Sequence, residues 1–154
     1  MWIYGKNPII DLFKKRPSEI EEIYLDFKKY SSLLSQLSKT KIKVYPYEDL
    51  KNKEIKGKNT QKIVARIKEI KILTLSQIIE KNKFNNHAVL IILDQIQDPQ
   101  NFGSIIRTVS ALKGSGIIYT KSNSASLNST TLKASSGTWM NVDLCEVNSL
   151  NSAL

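Results

Sequence analysis

The chain holds one cysteine and one histidine in 154 residues, and both absences are informative. A lone Cys145 excludes an intramolecular disulfide framework and fits a reducing compartment, so a cytoplasmic location is expected. Cys145 and His87 together are too few ligands for a structural zinc site within the chain, and no metal is expected. Long apolar runs are missing as well. The longest, residues 88–93, falls far short of the roughly 20 residues that cross a bilayer, so no membrane partner is expected. The opening Met1-Trp2-Ile3-Tyr4-Gly5-Lys6 carries no apolar stretch behind a basic end and does not read as a signal peptide. Internal repeats and low-complexity tracts are absent too.

What is present is a folded-protein composition, 41% hydrophobic and 24% charged, with a net charge of +9. The charge is uneven. Residues 1–75 hold seventeen Lys or Arg against nine Asp or Glu, whereas residues 76–154 hold six against five. Lys51, Lys53, Lys56, Lys58 and Lys62 cluster with only Glu54 to offset them. Such a patch attracts polyanions through counterion release. A solvated loop is the plainer reading of any one lysine cluster, and 20 of the 23 basic residues being Lys is also what a biased genome produces. The asymmetry between halves is harder to explain that way.

The pattern divides near residues 70–75. In the first part, Asn7-Pro8 reads as a helix start, a capping side chain followed by proline at the first helical position. Residues 22–25 read as a strand, Leu33, Leu34 and Leu37 mark a second helix, and residues 42–45 form a strand stopped by Pro46. Residues 63–70 alternate as another. The second part opens with a short helix at 75–80. A strand at 88–93 follows, apolar on both faces as a buried parallel strand is. A helix at 104–113 carries Ile105, Val109 and Leu112 on one face, ahead of strands at 117–120 and 142–147 and a helix at 128–136. The β-α-β-α-β order predicts a parallel sheet with crossover helices.

The richest stretch joins the first of those strands to its helix: Asp94-Gln95-Ile96-Gln97-Asp98-Pro99-Gln100-Asn101-Phe102-Gly103-Ser104-Ile105-Ile106-Arg107. Ligands gather at the carboxyl ends of parallel strands. Asp98-Pro99 reads as a tight turn, Asn101 as a cap or ligand contact, and Gly103 as a point of close backbone approach. Arg107 is expected in the first helical turn, near the amide-rich end where phosphates bind. An ordinary βα loop with Arg107 on the surface fits the same residues.

The spacing Asp-x-x-x-Asp-Pro-x-Asn-x-Gly-x-x-x-Arg resembles the first signature motif of the SpoU family of RNA ribose methyltransferases. The resemblance extends along the chain. Tyr4-Gly5-Lys6-Asn7-Pro8-Ile9 looks like that family's opening. Asn59-Thr60-Gln61-Lys62-Ile63-Val64-Ala65 looks like its His-Gln-Gly-type segment, with the His and Gly replaced. Leu127-Asn128 and Lys133-Ala134-Ser135-Ser136-Gly137 match a further segment. The resemblance implies a small ribosomal-protein-like α/β RNA-binding domain at residues 1–70, then the first part of a SPOUT-type α/β knot domain at 71–154. It implies S-adenosylmethionine as methyl donor, a ribose 2′-hydroxyl of large-subunit rRNA or of tRNA as acceptor, and a homodimer. Asn101 and Arg107 become the catalytic residues, Arg107 steadying the oxyanion that develops as the hydroxyl attacks. Arg107 and the five lysines become RNA contacts.

Two departures accompany the resemblance. Lys113 stands where the family has Gly after the motif helix. The family's Gly-x-Glu-x-x-Gly and Pro-Met…Ser-Leu-Asn-Val-Ser segments, which form the knot and the cofactor pocket, do not appear before Leu154. The chain therefore reads as a truncated member without a cofactor site, expected to be inactive in methyl transfer on its own, its strand at 142–147 left as an open edge. A binding-only protein with a catalytic remnant is the alternative. An unrelated nucleotide-binding enzyme is a third, opposed by the lack of any Gly-x-Gly-x-x-Gly or Gly-x-x-x-x-Gly-Lys-Ser/Thr signature. Trp2, Trp139, Tyr45 and Tyr47 are candidates for stacking on bases, the two tyrosines foremost because they adjoin the lysines. Cys145 and His87 read as structural.

Overall fold

A strand that the pattern did not announce begins the chain. In the computed structural model, which describes residues 1–151 with the side chains of Glu54 and Lys56 left aside, Trp2–Tyr4 form β1. The chain divides into two units, Met1–Glu69 and Ile70–Leu154.

In the first unit, Gly5 turns β1 directly into helix α1, Lys6–Lys15. Its φ of 99° is a conformation glycine takes at little cost. The expected start at Asn7 is thereby corrected. Gly5 occupies the cap position, and the Lys6 amide donates to the Gln61 side chain at 2.8 Å, a partner 55 residues away. Then come β2 (Ile20–Leu25), α2 (Ser31–Leu37), β3 (Lys43–Pro46), the single turn α3 (Lys53–Lys56) and β4 (Ile63–Ile67). The sheet order is β1-β4-β2-β3. β4 runs antiparallel to both β1 and β2, while β2 and β3 are parallel. Because β4 is internal, Ile63, Val64 and Ala65 are all buried and the simple alternation of the sequence is lost.

Ile3, Ala65 and Ile23 stand in register across three strands. α1 contacts β1 and β4, and its Ile9 and Leu12 are fully buried. On the opposite face Tyr4 and Val64 form a cluster with Leu50 and Ile55, so the segment after β3 folds back over the sheet. Fully burying each such aliphatic side chain stabilises by roughly 1.5–3 kcal/mol.

In the second unit α4 (Leu75–Asn82) opens with a capping box in which Thr74 and Gln77 satisfy each other's amides. β5 (Leu90–Leu93), α5 (Pro99–Ala111), β6 (Gly116–Thr120), α6 (Ser129–Ala134) and β7 (Asp143–Val147) follow. The three strands are parallel in the order β5-β6-β7, the α/β architecture expected.

Two expectations about its edges are corrected. The strand expected at 88–93 is shorter and is an edge rather than a centre. β6 is its one neighbour among the described residues; Ile92 stays 42% exposed, and Val89, just ahead of the strand, 54%. The strand expected to be left open, β7, is instead covered in part. The Leu73 amide donates to the Leu144 carbonyl at 2.8 Å, and Leu73 bridges Cys145.

Candidate functional site

Helix α5 decides where the motif residues stand. Asp98 is its N-cap, accepting from the Gln100 amide at 2.9 Å, and Pro99 is its first residue. An acidic cap followed by proline is a strong helix start, so what read as a loop with a turn is already helix. This corrects three expectations. The helix begins at Pro99, not Ser104. Asn101 is not the cap but an exposed residue of the first turn. Arg107 is not near the amino end: nine residues beyond Asp98, it lies ~13 Å along the axis at 1.5 Å per residue.

The buried face of α5 is Phe102, Gly103, Ile106 and Val109, rotated from the Ile105-Val109-Leu112 stripe expected. Leu112 is 78% exposed. The Phe102 ring rests on Tyr119 of β6, centroids 4.9 Å apart. Gly103 meets α6, where an added Cβ would lie 2.4 Å from the Ala134 Cβ and 2.6 Å from the Thr131 carbonyl. The close approach expected at Gly103 is thus to a neighbouring helix.

With that face turned inward, Gln100, Asn101, Ser104, Arg107 and Thr108 are all exposed. At 100° per residue Ser104 lies between Asn101 and Arg107 on the outer surface. The arrangement is a polar stripe two turns long with one guanidinium. No hydrogen bond or ion pair holds Arg107 among the described residues, so its fork is available to a phosphate or an oxyanion.

A cavity of about 420 Å³ opens at the carboxyl ends of the three parallel strands. Asp94 and Gln95 line it after β5, Thr120 at the end of β6 with Ser122 and Asn123 beyond, and Asn148 to Asn151 after β7. Gln95 and Asn123 hold positive φ of 51° and 54°, a left-handed conformation that Asn accepts more readily than Gln. The Ala125 amide donates to the Ile96 carbonyl at 2.6 Å and ties two of the loops together. Gln95 and Asn123 carry no motif signal of their own. Their signal is position: polar residues directly after a predicted parallel strand.

The lysine cluster is not uniform. Lys51, Lys53 and Lys58 are exposed, and the Lys58 ammonium lies 5.6 Å from the Tyr4 ring centroid. Lys56 has its side chain outside those described. Lys62 is engaged, its ammonium 2.9 Å from Asp26. Amides of residues 28 and 29 and Lys62 donate to that carboxylate, the Lys29 amide contributing most, and hold it below its usual range. Cys145 is buried, and burial pushes its thiol up, in keeping with a core residue. His87 is exposed. Trp139 is buried with its indole N–H unpaired among the described residues, so it offers no stacking face. Tyr47 directs its hydroxyl to Thr60 at 2.6 Å.

Comparison with known proteins gives two family matches. The RNA 2′-O ribose methyltransferase substrate binding family matches residues 2–73, and the SpoU rRNA Methylase family matches residues 88–154. An uncharacterised tRNA/rRNA methyltransferase of Mycoplasma pneumoniae is 38% identical over 97 residues, which cover 62% of this chain and 40% of that one. The 23S rRNA (guanosine-2′-O-)-methyltransferase RlmB of Shewanella oneidensis is 31% identical over 96% of this chain, and the chain spans 62% of its length. Among solved structures, the methyltransferase AviRb from Streptomyces viridochromogenes in complex with AdoMet matches with a TM-score of 0.73. It is 17% identical, with 99% of this chain and 57% of that one covered.

Proposed function

The chain belongs to the SpoU family of RNA methyltransferases, and from that premise we propose that it serves 2′-O-ribose methylation of large-subunit rRNA. In this reading the first unit binds the RNA and the second holds the reacting ribose. The observation that carries it is the pairing of the two family matches, one on each unit, with Asn101 and Arg107 exposed on one helix of the second. A ribose hydroxyl is a weak nucleophile. The Arg107 guanidinium stabilises negative charge as it develops on that oxygen and holds the adjacent phosphate, and Asn101 hydrogen-bonds the same strand of RNA. Lys51, Lys53, Lys56 and Lys58 draw in the backbone. Exposed Val89, Ile92 and Leu112 supply apolar surface for the homodimer that goes with this reading. The cytoplasm is its location.

S-adenosylmethionine is the methyl donor of this family, and the cavity at the strand ends does not fit it by itself. The cavity at the strand ends has Leu150 as its one apolar side chain, whereas an adenine ring needs apolar walls on its faces.

Mapping ribose methylation across large-subunit rRNA tests the proposal in cells with and without the gene. One 2′-O-methyl mark should vanish on deletion, return with the wild-type gene and stay absent with Arg107→Ala. An unchanged methylation pattern after deletion would rule out this substrate, and rRNA binding that persisted without any methyl mark would favour the binding-only alternative.

A further inference from the structure

A row of aromatic rings lies on the sheet of the first unit. Tyr24 of β2 pairs with Tyr45 of β3. Trp2 of β1 is on the same side as Tyr4, whose partner Val64 is also the partner of Tyr24. Tyr24 and Tyr45 are stacked, centroids 5.1 Å apart and planes 26° from parallel. Trp2 leans on Tyr24 at 6.0 Å and 48°. All three are half-buried. A cavity of about 530 Å³ opens over them, bounded beyond the rings by Asp49, Leu50, Lys51 and Asn52. The cluster of Tyr4, Val64, Leu50 and Ile55 fills the neighbouring part of the same face, and the row lies at its margin.

We propose that this cavity is a slot for an unpaired nucleobase of the RNA, stacked on the Trp2-Tyr24-Tyr45 surface. The inference rests on the reading that the first unit binds RNA. Single-stranded RNA is recognised by splaying a base onto aromatic rings, because every base has a π-face. The rim carries what a base and its phosphates need. Asn52 has its side-chain oxygen taken by the Ile55 amide at 3.2 Å, which leaves its NH₂ to donate to a base edge. The Asp49 carboxylate accepts from an exocyclic amine. Lys51 at the rim and Lys43, exposed two residues before Tyr45 on the same side of β3, supply charge for the flanking phosphates. The acidic groups nearby are offset, since Arg66 lies 3.1 Å from Glu21 and 3.2 Å from Glu22. Tyr45 was expected among the stacking residues from its place beside the lysines. Its companions are Trp2 and Tyr24, brought in from other strands, and not Tyr47.

The test uses the 154-residue chain, a short labelled oligoadenylate and a fully paired RNA duplex of the same length, with binding read by fluorescence anisotropy at one low salt concentration. Tyr45→Leu and Trp2→Leu keep apolar cover and remove the ring face, and Tyr45→Phe keeps the face. Each Leu variant should weaken oligoadenylate binding about tenfold and leave duplex binding unchanged, with Tyr45→Phe close to wild type. Wild-type affinity for oligoadenylate in both Leu variants would remove the slot while leaving RNA binding by the unit intact. Equal losses for oligoadenylate and duplex would also overturn it, as the effect would then lie in the fold or in phosphate contacts. If the unmodified chain bound neither RNA, the RNA-binding reading would fall and take the slot with it.

Discussion

The two units spend their apolar residues differently. In the first, a four-stranded sheet has α1 on one face and a folded-back segment on part of the other, and Met1 and Phe27 are its large hydrophobics left exposed. In the second, a three-stranded sheet leaves Ile72, Ile79, Phe84, Val89, Ile92 and Leu112 exposed. Charge runs the other way. The first unit carries most of the positive excess, while the second is nearly neutral and bears the motif arginine. The difference is what the proposed division of labour calls for. A self-sufficient core with a charged surface suits docking onto RNA. A small parallel sheet with an open apolar edge and a polar helix suits chemistry carried out in association with further protein surface.

The strongest way to break this division is Arg107→Ala. In a form of the protein that holds the methyl donor, turnover should fall by on the order of 10²–10³, as when a donor to a developing oxyanion is lost, while RNA affinity stays within about twofold. Comparing kcat with the RNA Kd checks it. A parallel fall in both would make Arg107 a binding residue and shift part of the docking function to the second unit.

Gly103→Val comes next and acts on stability. The new side chain would drive into Ala134 and the Thr131 carbonyl, backbone and short side chain with nowhere to go, so a loss of about 2–3 kcal/mol is expected in the second unit. Denaturant unfolding should show the first unit's transition unmoved. A common shift of both would mean that the units do not unfold independently.

Removing the first unit's charge is milder. With Lys51, Lys53 and Lys58 changed to Ala, the slope of log affinity against log salt should become shallower by roughly 2–3. Lys62→Ala alone should change little, because that ammonium already serves Asp26. An unaltered slope in the triple variant would reduce the patch to solvated surface.

The elements legible in the sequence were those whose signal is local. α2, α4, β2, β3, β6 and β7 lie where apolar spacing placed them, within a residue or two at the ends. What escaped depends on distant partners. Asn7-Pro8 and Asp98-Pro99 carry the same local chemistry, yet the second starts a helix and the first does not. Upstream of Pro8, Gly5 can take a positive φ and Gln61 reaches across from the end of another loop, and neither fact is local. The run at 88–93 reads as doubly buried because composition cannot say whether both faces of a strand are covered. Trp2 and Tyr24 could not be joined to Tyr45 before the sheet order was known. For the candidate site, residue identities were legible and their places on the helix were not. One misread start displaced Arg107 by a turn and more.

That misread start supplies the smallest and sharpest test, because it separates two neighbouring polar residues by role. Asp98 accepts from the Gln100 amide and precedes Pro99. Its carboxylate satisfies an otherwise orphaned donor and lies at the positive end of the helix dipole. Asp98→Ala should therefore cost the second unit about 1 kcal/mol. Asn101, exposed and already inside the helix, holds no cap, and Asn101→Ala should stay within about 0.5 kcal/mol of wild type, since surface changes away from such features rarely exceed that. Asn101→Ala should instead appear in methyl transfer. The pair is read by measuring stability and turnover on both variants. If Asn101→Ala lost the 1 kcal/mol and Asp98→Ala did not, the helix would start later than Pro99, the guanidinium of Arg107 would move back toward the amide-rich end, and the oxyanion role would pass from an isolated side chain to a helix terminus.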